Sequence, residues 1–266
     1  MSLMKLSEEL ELAIRAALKA GEIIMEIYNS KELEVVFKGD DSPLTKADKA
    51  AHKIIVSYLG SSSLPTLSEE GSDILYDQRK YWNRFWMVDP IDGTKEFIKR
   101  NGEFTVNIAL IENQKPVLGV VYAPALKDLY FAEEKIGSFK MEDIISIEDT
   151  YKSERIDLTK SIYPETYTLV VSKSHMNEET QKFVDKKEQE FGKIETASFG
   201  SSLKICKVAE GSAHCYPRFG PTMEWDTAAA HAVAIFAHNN VKGINNTMNL
   251  IYNKENLLNP YFIVSL

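Results

Sequence analysis

Between Phe85 and Ala132 four apolar runs follow one another with only turn signals between them: Phe85 to Val88, Thr105 to Ile111, Pro116 to Tyr122 and Asp128 to Ala132. Runs of this length and residue type predict strands. Two helical patterns precede them. Leu10, Ala13, Ile14, Ala17, Gly21, Ile24, Met25 and Tyr28 recur at helical spacing behind Ser7, a residue suited to the N-cap. After the polar, turn-rich stretch Lys38 to Pro43, Thr45 predicts a second N-cap, followed by Asp48, Ala51, Ile54, Ile55 and Tyr58. Two helices and then a block of strands predict an α+β layer.

From Glu133 to Lys160 the chain is charged and weakly periodic, which reads as a domain-joining segment with an exposed excursion. The boundary is placed near residue 160, giving an N-terminal α+β domain over 1–160 and a C-terminal α/β domain over 161–266. In the second part, Tyr167 to Val171 reads as a strand, Asn177 to Phe191 as a helix, and Ser201 to Glu210 as a helix stopped by Gly211. A strand around Ala213 to Tyr216 comes next. Ala228 to Ala237 then reads as a buried helix capped by Asp226, with closing strands at Asn249 to Tyr252 and Phe262 to Leu266. The sequence shows no internal repeat and no low-complexity tract.

Acidic side chains outnumber basic ones, 39 to 31, for a formal charge of −8, which argues against a nucleic acid polymer as partner. A phosphorylated small molecule would need a cation between itself and such a surface. Cys206 and Cys215 are the only cysteines and have no spacing that suggests a disulfide framework or a thiolate metal site, so a reducing cytoplasm is expected. No run approaches the roughly 20 apolar residues of a membrane span. The N-terminus lacks the apolar core of a signal peptide, so the expectation is a soluble protein without a transmembrane segment.

The chemistry is concentrated where the first predicted strand ends, at Asp89-Pro90-Ile91-Asp92-Gly93-Thr94. Asp89 and Asp92 are expected to bracket a tight turn in which Pro90 fixes the backbone and Gly93 relieves it. Two carboxylates and the Ile91 carbonyl can then converge. Glu69 and Asp226 are likewise expected at element ends. Together these are hard oxygen donors suited to Mg²⁺, which takes few protein carboxylates and completes its octahedron with water and substrate phosphate. Gly93 and Thr94 are expected to open a helix through Phe97 whose free N–H groups face a bound phosphate. Thr94 and Asp48 offer a hydroxyl–carboxylate relay able to accept the proton of a metal-activated water. His231, on the Ala-rich helix, reads as a core histidine.

Taken together, Glu69-Glu70, the hexapeptide from Asp89 to Thr94 and Trp225-Asp226 resemble the signature of the inositol monophosphatase superfamily of magnesium-dependent, lithium-sensitive phosphatases, and Thr45-Lys46-Ala47-Asp48 resembles its upstream helix start. The resemblance implies an α/β fold, the layered αβαβα sandwich of sugar phosphatases. It implies that Glu69, Asp89, the Ile91 carbonyl, Asp92 and Asp226 hold two or three Mg²⁺ ions, with Glu70 a neighbour outside the set. Asp48 and Thr94, with Glu69, would orient the attacking water, and the backbone of Gly93 and Thr94 would hold the phosphate. Ser172-Lys173-Ser174-His175, the run Gly200 to Lys204, the run Tyr216 to Pro221 and the run Trp225 to Ala229 are similar to the 3'(2'),5'-bisphosphate nucleotidase branch. That branch removes the 3'-phosphate of adenosine 3',5'-bisphosphate to leave AMP, clearing a by-product of sulfate assimilation. By the same resemblance His175 would lie against the adenine, while Ser201, Lys204 and Arg218 would face the nucleotide and its second phosphate. An inositol monophosphate or fructose bisphosphate phosphatase is the sister alternative, and a non-catalytic phosphate-binding scaffold the remote one. The protein is expected as a monomer or a homodimer. One departure is Ala230, where close relatives usually carry glycine; it adds one methyl to a helix face.

Overall fold

The computed structural model describes residues 6–30, 35–37, 43–172, 177–244 and 249–266. Helix α1 (Glu8–Tyr28) begins where Ser7 Oγ accepts the Leu10 N–H at 3.0 Å. The short strands β1 (Val35–Phe37) and β2 (Pro43–Thr45) lead into α2 (Lys46–Leu59), whose first turn carries Asp48. The turn expected from Lys38 and the side chain of Thr45 lie outside the described residues. Strand β3 (Thr66–Ser68), the helical turn α3 (Tyr76–Arg79) and the long strand β4 (Arg84–Asp92) follow, then α4 (Thr94–Ile98). Next come β5 (Thr105–Glu112), β6 (Lys115–Ala123), β7 (Asp128–Glu133), β8 (Gly137–Met141), helix α5 (Ile147–Lys152) and β9 (Ile156–Asp157).

Strands β3 to β9 form one seven-stranded sheet in sequence order, antiparallel throughout except where β3 runs parallel to β4. Strand alternation divides its side chains between two cores. Trp86, Val88, Val106 and Ile108 face α1 and α2, whose Leu10, Ile14, Ala51 and Ile55 close that side. Phe85, Met87, Ala109 and Ile111 face the other way. There they meet the Ala-rich helix α8, which is described below.

The remainder builds a second sheet from β10 (Thr168–Ser172), β11 (Glu195–Phe199), β12 (Cys215–Arg218), β13 (Asn240–Gly243) and β14 (Phe262–Ser265), in the order β11-β10-β12-β14-β13. Helices α6 (Glu178–Phe191), α7 (Leu203–Ala209) and α8 (Glu224–Phe236) cover it. Val170, Tyr216, Phe262 and Val264 share a core with Leu203 of α7 and Ala228 to Ala230 of α8, and that same core contains Phe85 and Met87. On the outer face Leu169, Val171 and Cys215 pack against Val184 of α6. The layers therefore run α1/α2, seven-stranded sheet, α7/α8, five-stranded sheet, α6, which is the expected αβαβα sandwich.

Two expectations change. The segment from Glu133 to Lys160 is part of the first sheet rather than an excursion: Ser138 is fully buried and Met141 is 1% exposed within β8, and Asp149 caps α5 by accepting the Ser146 N–H at 2.8 Å. Lys140 is paired across the structure, with Asp128 at 3.4 Å and with Glu210 at 3.3 Å, so its charge misled as a sign of exposure. Asn249 to Tyr252 is not a strand; Asn249 makes a single bridge to Lys242, and Tyr252 turns inward to the core. Asn240–Gly243 pairs with β14 instead.

Helix α8 rests directly on β6. A Cβ placed on Gly119 would lie 2.2 Å from the Ala229 carbonyl oxygen and 2.8 Å from Ala232 Cβ, so only glycine permits this approach. Gly119→Ala is expected to cost about 1–3 kcal/mol of stability, read as a lower urea midpoint at unchanged slope. A wild-type midpoint would show that helix and strand have room between them.

Candidate active site

The first carboxylates come from β4. Strand β4 pairs Asp89 with Asn107 and Asp92 with Thr105, so three steps along β4 match two along β5 and the extra residue forms a bulge. In a regular strand residues three apart point to opposite faces; the bulge brings Asp89 and Asp92 to the same one. The expected turn is thus a bulged continuation of the strand. Pro90, which has no N–H to give to a ladder, falls inside the bulge, where its loss is least costly. Asp89 Oδ1 accepts the Ile91 N–H at 3.0 Å, and Ile91 itself is buried toward α1 and α2. Gly93 takes the left-handed conformation at φ 90° and opens the single-turn helix α4.

Helix α2 brings Asp48 to this point, 3% exposed, with its Oδ1 3.4 Å from Thr94 Oγ1. Thr94 Oγ1 also lies 3.3 Å from the Ile91 carbonyl. Glu69 and Glu70 occupy the centre of a turn closed by the Gly71 N–H on the Ser68 carbonyl at 3.0 Å, just beyond β3. Asp226 comes from the second half. It is not the cap of its helix but the third residue of the first turn, and its Oδ2 accepts the Met223 N–H at 2.9 Å.

Charge couples the four acids. Burial, reinforced by Glu69, Asp92 and Asp226, pushes the Asp89 carboxyl well above its ordinary range. Burial and then Asp92 do the same to Asp226. Among the described residues no three acidic, histidine or cysteine side chains already stand as a ready-made cage for a metal ion. The donors are all oxygen and mutually repelling, Asp89 buried and Glu69, Asp92 and Asp226 half-buried, which fits a hard divalent cation that keeps part of its water shell. Such an ion would relieve the desolvated charge that Asp89 and Asp226 otherwise resist.

One pocket is lined by Asp92, Gly93, Ser201, Lys204, Arg218 and Asp226 together, so Gly93 and the expected nucleotide-facing residues meet two of the acids, while Asp48, Glu69, Asp89 and Thr94 are not part of its lining. Lys204 is buried, its Nζ donating to the Ser201 carbonyl at 2.6 Å, and burial lowers its ammonium to about 8. Arg218 Nη2 donates to the Pro221 carbonyl at 2.8 Å, while its buried Nε has no partner. His175 lies outside the described residues. His231, buried with Nδ1 2.7 Å from Tyr252 Oη and lowered to about 3, is the core histidine expected.

Sequence reasoning missed Ser202 and Asn107. Ser202 Oγ donates to Asp92 Oδ2 at 2.6 Å, with the Asp226 carbonyl at 3.1 Å, and Asn107 Nδ2 donates to Ser202 Oγ at 2.6 Å. The only sequence sign of Asn107 is a polar residue inside the apolar run from Thr105 to Ile111.

The model of the inositol monophosphatase family matches residues 5–237. The 3'(2'),5'-bisphosphate nucleotidase CysQ of Salmonella typhimurium is 45% identical over 97% of this chain and 99% of its own length. A crystal structure of CysQ from Bacteroides thetaiotaomicron superimposes with a TM-score of 0.88 at 48% identity, covering 97% of this chain and 96% of that one. The fold alone is shared with an IMPase/NADP phosphatase solved with Mg²⁺ and phosphate, at a TM-score of 0.72 and 21% identity over 93% and 86% of the two chains. With a family model spanning most of its length and near-complete relatives at this identity, the chain belongs to the inositol monophosphatase family.

Proposed function

We propose that this protein is a Mg²⁺-dependent 3'(2'),5'-bisphosphate nucleotidase that removes the 3'-phosphate of adenosine 3',5'-bisphosphate, leaving AMP and phosphate. The observation that carries the reading is one pocket lined by both the acids Asp92 and Asp226 and the cations Lys204 and Arg218. A substrate with two phosphate groups needs both: a metal-holding end for the ester that is cleaved and a cationic end for the one that is kept. Near full-length similarity to proteins named for this activity supports it.

In this reading Glu69, Asp89, the Ile91 carbonyl, Asp92 and Asp226 hold two or three Mg²⁺ ions in the cleft between the parts of the chain before and after about residue 160. Mg²⁺ bound there supplies Lewis acidity, polarising the phosphoryl group and acidifying water. Thr94 Oγ1, between Asp48 Oδ1 and the Ile91 carbonyl, holds the attacking water by a hydrogen bond, and Asp48 accepts the proton through that hydroxyl. The backbone N–H groups of Gly93 and Thr94 receive the phosphate oxygens. Ser202 and Asn107 fix Asp92 so that its carboxylate does not turn away from the pocket. Ser201, Lys204 and Arg218 face the nucleotide and its second phosphate. Among the described residues no helix is long and apolar enough to cross a membrane.

A substrate panel tests this. With Mg²⁺ present, adenosine 3',5'-bisphosphate is expected to be hydrolysed faster than inositol 1-phosphate and fructose 1,6-bisphosphate, and Ca²⁺ or Li⁺ to inhibit. Faster hydrolysis of the inositol ester would overturn the substrate assignment while leaving the phosphatase chemistry in place.

A further inference from the structure

Three side chains at alternate positions, Glu103, Thr105 and Asn107, grip three consecutive residues of the turn ahead of α7. Glu103 Oε2 accepts the Gly200 N–H at 2.8 Å, Thr105 Oγ1 and Ser201 Oγ lie 3.1 Å apart, and Asn107 Nδ2 donates to Ser202 Oγ at 2.6 Å. The intervening Phe104 and Val106 are buried in the core under α1 and α2, as the two-residue period of an extended chain requires. The strand side advances two residues per rung and the turn only one. The turn is therefore contracted, and Ser201 has a left-handed φ of 44°. The approach is close: a Cβ on Gly200 would meet the Glu103 carbonyl oxygen at 2.6 Å and Glu96 Cγ at 2.8 Å. Thr105 and Asn107 are 0% and 1% exposed, so water does not compete for the two inner rungs.

The ladder ties an acid of the pocket to one of its cations. Its last rung ends on Ser202, which grips Asp92, and its middle rung ends on Ser201, whose carbonyl receives Lys204 Nζ. We propose that Glu103, Thr105 and Asn107 are positioning residues that set the Gly200–Ser202 turn in register with the carboxylates, and so hold the second anionic group of a substrate at a fixed distance from the ester being cleaved. The inference rests on the reading that Ser201 and Lys204 face a substrate with two phosphate groups. Its consequence is graded along the ladder. Loss of the first rung loosens the grip on the second anion, whereas loss of the last rung also frees Asp92.

Steady-state kinetics of the full chain on adenosine 3',5'-bisphosphate and on p-nitrophenyl phosphate, which lacks a second anion, test it alongside thermal midpoints. Glu103→Ala is expected to raise KM for the bisphosphate ~10-fold, the size of one hydrogen bond to a charged group, and KM for the small ester by much less. Glu103→Gln keeps an acceptor oxygen for the Gly200 N–H and is expected to restore most of the difference. Asn107→Ala is expected to lower kcat on both substrates. Equal losses on the two substrates from Glu103→Ala, no loss on either, or no recovery with glutamine would overturn the ladder as a specificity device. Failure of the substrate reading is seen separately, in a wild-type chain that hydrolyses the small ester but not the bisphosphate. Even then Asn107→Ala must slow the small ester through Ser202 and Asp92, and an unchanged kcat would sink the proposal.

Discussion

Replacing Asp89 with asparagine is expected to abolish Mg²⁺-dependent phosphate release, lowering kcat/KM by ~10³-fold or more, while leaving the metal-free fold at least as stable as the wild type. The two halves of this expectation have one cause. Asp89 is 1% exposed and has Glu69, Asp92 and Asp226 as charged neighbours, so its folded-state pKa lies above the value of 3.8 that it has when unfolded. The folded chain then binds that proton more tightly than the unfolded one. The resulting stabilisation is complete below about pH 4 and is lost as pH rises through the raised value. Asp226 behaves in the same sense. Metal-free protein is therefore expected to melt at lower temperature as pH rises from acid toward neutral, and Mg²⁺ to restore the difference because it binds only the folded donor set. The Asp89→Asn substitution removes both the pH slope due to that residue and part of the Mg²⁺ effect. Scanning calorimetry in chelator and in Mg²⁺, with phosphate release measured on the same samples, reads every part. Phosphate release at the wild-type rate from Asp89→Asn would place the reacting centre elsewhere.

Thr94→Val is the second large effect. Valine keeps the shape of threonine but removes the hydroxyl that stands 3.4 Å from Asp48 Oδ1 and 3.3 Å from the Ile91 carbonyl. A positioned proton acceptor contributes ~10²- to 10⁴-fold, so kcat is expected to fall by ~10²-fold or more with KM little altered. Asp48→Asn should produce a similar fall, and the double variant little beyond either single one, because the two side chains act as one relay. Rates of the four chains at saturating substrate decide it. A full-rate Thr94→Val enzyme would mean that the water is oriented by other groups.

What the sequence made legible was chiefly what is local. Ser7 sits three residues before Leu10, and a serine ahead of an apolar helical pattern is enough to predict the cap that forms. The order of helices and strands predicted an α+β layer, and the αβαβα layering came from the resemblance carried by the hexapeptide and its flanking carboxylates. Most of the failures have a common physical reason: they depend on residues far apart in the chain. The strand Gly137–Met141 looked exposed because Lys140 is charged, and only the fold supplies Asp128 and Glu210 to neutralise it. Asp226 was read as a cap because aspartate ahead of an alanine run usually is one; Glu224 and Trp225, which extend the helix backward, carry no such pattern. The bulge was hidden as well, because Asp-x-x-Asp is compatible with a turn and only pairing with β5 shows that one residue is extra. Ser202 and Asn107 were invisible for the same reason, being partners across 95 residues of sequence.

Ala229 lies three residues beyond Asp226, less than one helical turn along α8. At that point the helix meets β6 at Gly119, the Ala229 carbonyl against the strand's main chain and only the short Ala232 side chain beside it, so no flexible side chain is there to yield. Any group that pushes there must shift the helix as a rigid rod, and the first turn moves with it. A strand that contributes no reactive side chain thereby acts as the datum from which Asp226 is spaced against Asp89 and Asp92. Turnover should accordingly register crowding at Gly119 even under conditions where the protein remains fully folded.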